Sequence, residues 1–229
     1  MNQSHLHRLN TIVSWLIAAM AVVAVVRLIY LDKPANEIFF RALQYVTMLA
    51  IMQIPLLLKR RWQIEVPWIL TVVIVFFSFG SLIMGDGLDF YGRFPWWDML
   101  LHAESGVLLS MIALWLIHVI MADDDKYIYL NKWFLCLFVV MFSLGLGACW
   151  EIMEYSYDSL MGTNTQQFMA TTTGSIFTAD DEPLCGHAAL ADSMQDLILD
   201  LAGALLVAIY GFVNHERLVK RYTQLKDEQ

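Results

Sequence analysis

Charge is scarce in this chain. Asp, Glu, Lys and Arg make up 16% of its 229 residues, against about a quarter in an average soluble domain. The shortage is uneven, for no lysine or arginine occurs between residues 133 and 216. With a net charge of −8, the chain lacks the basic face that a nucleic-acid module needs to neutralise phosphates, and that class is excluded. Cysteine is also rare. Cys136, Cys149 and Cys185 fit neither a zinc-ligand spacing nor an even-numbered disulfide framework. Cys136 and Cys149 fall in an apolar run and read as small core residues. No internal repeat, low-complexity tract or linker appears, so one domain over 1–229 is expected.

Apolar side chains are what the sequence has in excess. They make up 59% of the chain and give a mean hydropathy of +0.56, more than one soluble core could bury. Lipid must cover the remainder, which excludes a soluble enzyme. Crossing a hydrocarbon layer takes about 20 helical residues, and six segments qualify: 11–30, 38–58, 65–85, 97–121, 133–156 and 193–213. The fold class predicted is all-α, a polytopic membrane bundle of six transmembrane helices. The first segment has no small-residue cleavage site and reads as a retained anchor.

Lysine and arginine set the orientation. With the N-terminus inside, ten of them (Arg8, Lys59, Arg60, Arg61, Lys126, Lys132, Arg217, Lys220, Arg221 and Lys226) face the cytoplasm. Four (Arg27, Lys33, Arg41 and Arg93) lie outside. Both termini are therefore expected in the cytoplasm, with the acids Asp123, Asp124 and Asp125 on an inner loop. Loops 86–96 and 157–192 lie outside, and a connection as long as the second is commonly functional or mobile.

The carboxylates carry the functional signal. An ionisable residue inside a span costs at least ~2.5–3.5 kcal/mol and calls for a reason. Span four places Asp98, His102 and Ser105 on one helix face. Span five does the same with Glu151, Glu154 and Asp158, and span six with Asp192, Asp196 and Asp200. The alternating span directions put all three faces in the outer third of the membrane. Acids so close repel one another when ionised, and spans five and six bring no cation to offset them. Protonation with hydrogen bonding, a water-filled vestibule or a bound divalent metal can each satisfy the cluster.

One histidine among carboxylates suits Mg, Mn, Ca or Zn. In that case His102, Glu151, Asp196 and Asp200 hold the ion, and Asp98 or Glu154 serves as catalytic base on a bound water. No organic cofactor is expected. The plainer readings are that Asp158, Glu154 and Asp192 face water at span ends, with Asp192 as an N-cap. Asp98 can complement the helix dipole, and the deeper acids can tie helices together. Gly145, Gly147, Gly203 and Ala204 are expected to let helices approach closely.

The elements Asp98-x3-His102-x3-Gly106, Trp150-Glu151-x2-Glu154-Tyr155 and Asp196 through Gly203-Ala204 resemble the uncharacterised bacterial inner-membrane family typified by YjdF. A more distant likeness is to VanZ-like membrane proteins. The resemblance covers residues 86–210. Ser105 stands where the YjdF-type pattern has Gln, and Asp200 where the VanZ-like one has Asn. It implies a bacterial inner-membrane location, while VanZ-like proteins point to the cell envelope.

Three functions are consistent with these residues. One is metal-assisted hydrolysis or transfer on an envelope lipid or precursor. The second is a proton or cation carrier, although the inner halves of spans four to six show no acid. The third is an interaction or assembly protein whose polar cluster locks the helices. Membrane lipids are the expected partners, and nucleic acid is not. The basic-residue bias predicts that a fluorescent cytoplasmic reporter fused at residue 229 is active and that a periplasm-dependent phosphatase there is silent; the reverse pattern refutes the orientation.

Overall fold

The structure, a computed structural model, describes residues 3–31, 35–88, 90–122, 131–170 and 182–216. The acids Asp123–Asp125, residues 171–181 of the long connection between the fifth and sixth spans, and the basic residues Lys33, Lys126, Arg217, Lys220, Arg221 and Lys226 lie outside the described residues. Among the described residues, six helices are long and apolar enough to cross a membrane: Thr11–Tyr30, Arg41–Trp62, Trp68–Gly85, Trp97–Ile117, Lys132–Met161 and Gly186–Val213. The all-α, six-span architecture expected from the apolar runs is present. Their outward faces carry apolar side chains such as Trp15, Val22, Leu137 and Leu206, all exposed, as a lipid-facing surface requires.

The elements are α1 (Gln3–Tyr30), α2 (Ala35–Trp62), α3 (Trp68–Ser78), a π-helical segment (Phe79–Gly87), α4 (Phe90–Arg93), α5 (Trp97–Ala122), α6 (Lys132–Met161), β1 (Met169–Ala170), β2 (Glu182–Pro183), a 3-10 turn (Gly186–Leu190) and α7 (Ala191–Val213). They divide into two compact units. The first comprises Met1–Leu101 and Glu154–Asp192, and the second His102–Met153 and Ser193–Gln229.

In the first unit α1, α2, α3 and the π segment share a core of Val13, Ile17, Tyr45, Met52, Val75 and Leu82. A hydrogen bond from Gln53 Nε2 to Ser14 Oγ, 3.1 Å, joins α2 to α1. Helix α2 ends at Gln63, whose φ of 57° is left-handed. The Ile64 N–H then closes on the Leu58 carbonyl at 3.2 Å, which satisfies one of the last carbonyls of the helix. The third span starts at Trp68 rather than 65, with Pro67 as its N-cap, where the fixed φ of proline and its missing N–H cost the helix no hydrogen bond.

After Ser78 the hydrogen bonds widen to i→i+5 spacing, and the Leu88 N–H reaches the Ile83 carbonyl at 2.9 Å. Within this π turn the Gly80 carbonyl accepts the Trp97 indole N–H at 3.2 Å. The Phe90 ring meets Phe94 and Trp97 edge-on, each at 4.9 Å.

The fifth span runs further than its apolar stretch, to Met161. Gly162, at φ +66°, ends it with its N–H on the Asp158 carbonyl at 3.1 Å. Asp158, expected to face water, is instead buried. Its Oδ1 accepts the Thr163 hydroxyl at 2.6 Å, the Thr165 N–H at 2.7 Å and the Thr165 hydroxyl at 2.8 Å. Its Oδ2 accepts the Gln166 N–H at 3.0 Å. The carboxylate thus folds the start of the following loop onto the helix end. Asn164 then holds Met169 through both its N–H and its carbonyl, and β1 pairs antiparallel with β2.

The second unit contains the remainder of α5, α6 and α7. Its core is Ala113, Leu135, Val139 and Ala208, and the Cys136 thiol donates to the Ala208 carbonyl at 3.3 Å. Cys149 is exposed, not a core residue, because it sits on the face of α6 turned away from the buried Ser143 and Gly147.

Replacing Asp158 with Ala orphans the Thr165 and Gln166 N–H groups, each costing about 1–3 kcal/mol when unsatisfied. Asp158→Ala is expected to lower the melting temperature and speed proteolysis within residues 163–170, with Asp158→Asn intermediate. Unchanged melting and cleavage in Asp158→Ala would show that the carboxylate does not hold the turn.

Candidate functional site

The second unit is built on three stripes of small and polar residues. On α5 the stripe is His102, Gly106, Ser110 and Ala113, all buried. On α6 it is Val139, Ser143, Gly147 and Glu151, at steps of four. On α7 it is Asp196, Asp200, Gly203, Ala204, Ala208 and Gly211. With so little side chain between them, the backbones of α5 and α7 come into contact. A Cβ on Gly106 would run into the Asp200 backbone carbonyl, and one on Gly203 into the Ala103 carbonyl. From α6, the Ser143 hydroxyl donates to the Gly106 carbonyl at 3.1 Å. A Cβ on Gly147 would overlap the Asp200 carboxylate. Gly147 and Gly203 therefore do what was expected of them. Gly145 does not, since nothing lies within 4 Å of its Cβ position.

This packing sets the polar geometry. His102 is buried, and Asp196 and Asp200 are 2% and 1% exposed. The His102 Nε2 lies 3.6 Å from Asp196 Oδ2, and Nδ1 lies 3.8 Å from Asp200 Oδ2. The imidazole thus has one carboxylate at each nitrogen, both from successive turns of α7. Ser105, on the same turn of α5, donates to Asp200 Oδ1 and also lies 2.8 Å from the His102 carbonyl.

Both histidine–carboxylate separations exceed the 2.7–3.2 Å of an N–H···O hydrogen bond. Two donors bound about 2.0–2.2 Å from one tetrahedral ion stand roughly 3.4 Å apart, close to the separation between Nε2 and Asp196.

The remaining candidates are placed as follows. Glu151 is buried on α6, one turn beyond Gly147 and hence on the face that meets Asp200. Asp98 stands one turn before His102 on α5 and is half-buried. Glu154 is half-buried, and its carbonyl accepts the Thr165 hydroxyl at 3.3 Å. Asp98 and Glu154 fall in the first unit, while His102, Glu151, Asp196 and Asp200 fall in the second. The sequence reading did not anticipate Ser143, although its step of four to Gly147 and Glu151 would have placed it on the buried face.

Among known proteins, the family described as Predicted membrane protein (DUF2238) matches residues 12–217. This agrees with the YjdF-type resemblance carried by the Asp-His, Glu-Glu and Asp-rich elements. The likeness to VanZ-like proteins gains no support from it. No curated protein and no solved structure matches the chain.

The glycine contacts are expected to be the least tolerant positions of the second unit. Gly106→Ala and Gly203→Ala each force two helices apart and should cost several times the ~1 kcal/mol that alanine returns in helix propensity. Gly145→Ala, with open space around it, should be neutral or stabilising. Equal melting temperatures for all three variants would contradict the close α5–α7 contact.

Proposed function

The chain belongs to the DUF2238 family of predicted membrane proteins, and within that family we propose that it uses His102 and Asp196 to hold one divalent cation. The proposed setting is the bacterial inner membrane with both termini cytoplasmic, which the ten-to-four bias of basic residues supports. The proposed reaction is metal-assisted hydrolysis or transfer on an envelope lipid or precursor.

The observation that carries this reading is the imidazole held between two acids in a unit where residues 133–216 bring no lysine or arginine. One ring cannot offer both nitrogens to a single ion. The proposal puts the ion on the Nε2 side, with Asp196, and its support is the 3.6 Å separation there. Asp200 then faces Nδ1, where a carboxylate orients a metal-bound histidine and fixes its tautomer. Ser105, on the other oxygen of Asp200, holds that carboxylate in place.

In this proposal Asp200 orients the imidazole, a role supported by its 3.8 Å separation from Nδ1. Glu151 is the further acid on the α6 side. The bound cation supplies Lewis acidity, and proton removal falls to Asp98 or Glu154. These two separate experimentally, because the base variant keeps the ion and loses turnover.

A histidine nitrogen in the donor set favours Zn or Mn over Mg or Ca. The full-length protein, stripped with chelator in detergent, should melt higher on adding Zn or Mn. The gain is about 2.7 kcal/mol when the ion is present at 100 times its Kd. It should shrink as pH falls, because protons compete for the same nitrogen and oxygens. Asp196→Asn should abolish the gain, and Ser105→Ala should weaken it.

A second reading is favoured by the Gly106–Gly203 contact, in which the acids serve only to lock three helices together. No shift with any of the four ions, with unchanged or improved stability in Asp196→Asn, would select it.

A further inference from the structure

Among the described residues, a cavity of about 510 Å³ opens at the opposite end of the second unit. It lies between the start of α6 and the end of α7. Phe212, on its wall, is twelve residues from Asp200, or roughly 18 Å along the helix. The cavity is therefore separate from the His102 cluster, and nothing in the proposed cation site depends on it. The two spans that border it, Lys132–Met161 and Gly186–Val213, begin and end there, so it sits at a membrane–water boundary.

Its lining combines opposite charges with aromatic faces. The Lys132 ammonium rests over the Phe212 ring at 4.5 Å. The Trp133 ring meets the other side of that wall edge-on, with centroids 4.7 Å apart, and is 67% exposed. Such a position suits an indole at the interface. Glu216 and the buried His215 complete the wall.

The backbone reinforces this polarity. α6 presents its positive end here, and α7 its negative end. Lys132 lies on the positive side and Glu216 on the negative.

A simple anion would be attracted by Lys132 and repelled by Glu216. A ligand that carries a phosphate and an ammonium a few bonds apart satisfies both. We propose that this cavity binds the headgroup of an aminophospholipid, phosphate towards Lys132 and ammonium towards Glu216, with the glycerol and upper acyl chain against Trp133 and Phe212. Volumes of about 300–1,000 Å³ are usual for sites of this kind.

Native mass spectrometry of the delipidated full-length protein tests this, with phosphatidylethanolamine, phosphatidylglycerol and inorganic phosphate as probes. One tightly held phosphatidylethanolamine is expected, preferred over phosphatidylglycerol and not displaced by millimolar phosphate. Lys132→Ala should weaken both lipids about fivefold, the usual contribution of one basic residue at a membrane surface. Glu216→Gln should weaken only phosphatidylethanolamine, and Glu216→Lys should reverse the preference. Both side chains are exposed, so these variants should keep the wild-type melting temperature. Equal binding of the two lipids in wild type and variants would overturn the proposal, as would displacement by inorganic phosphate, which marks a simple anion site.

Discussion

The second unit depends on the contact between the α5 and α7 backbones at Gly106 and Gly203. A side chain at either glycine would run into the backbone of the other helix. In lipid, helices gain little from burying apolar surface against one another, and association rests on close packing and hydrogen bonds instead. Small residues at 106 and 203 supply the first. Ser143, donating to the Gly106 carbonyl, and Cys136, donating to the Ala208 carbonyl, supply part of the second. The contact also sets the chemistry, since it brings the turn carrying Asp200 against the turn carrying His102. A larger residue at either position would separate the acid from the imidazole before it affected any ligand.

How far the sequence disclosed this depends on the kind of force involved. The six spans were legible because hydrocarbon thickness imposes a length that apolar runs must meet. That His102 would share a level with Asp196 and Asp200 was legible from the i, i+4 steps on spans four and six and their common direction. The pairing of each acid with a particular nitrogen was not, because ring orientation follows from packing around His102.

Other features were hidden for local reasons. The π turn at Phe79–Gly87 changes hydrogen-bond register without changing hydropathy. Asp158 read as a solvated helix end because its partners are the backbone N–H groups of Thr165 and Gln166 and two threonine hydroxyls, in a segment with no periodic pattern. Cys149 read as core because its neighbours are apolar, yet in a membrane helix apolar residues also face outwards.

Packing and polar geometry are coupled at this cluster. Asp200 is held by Ser105 and abutted by Gly147, so it is fixed by the same contacts that join the helices. An acid so constrained is suited to orienting a histidine. Asp196, one turn nearer the start of α7, faces the other ring nitrogen and carries no such glycine contact. The proposed division of roles between two acids four residues apart rests on the glycine contacts that confine Asp200.

Nitrogen-15 NMR of the histidines, with the His102 signals assigned by difference from His102→Gln, tests that division most directly. A neutral His102 with the proton on Nδ1, and an Nε2 resonance that moves on adding Zn or Mn while Nδ1 stays protonated, is the result the account requires. A doubly protonated imidazolium whose two resonances ignore every ion would contradict it.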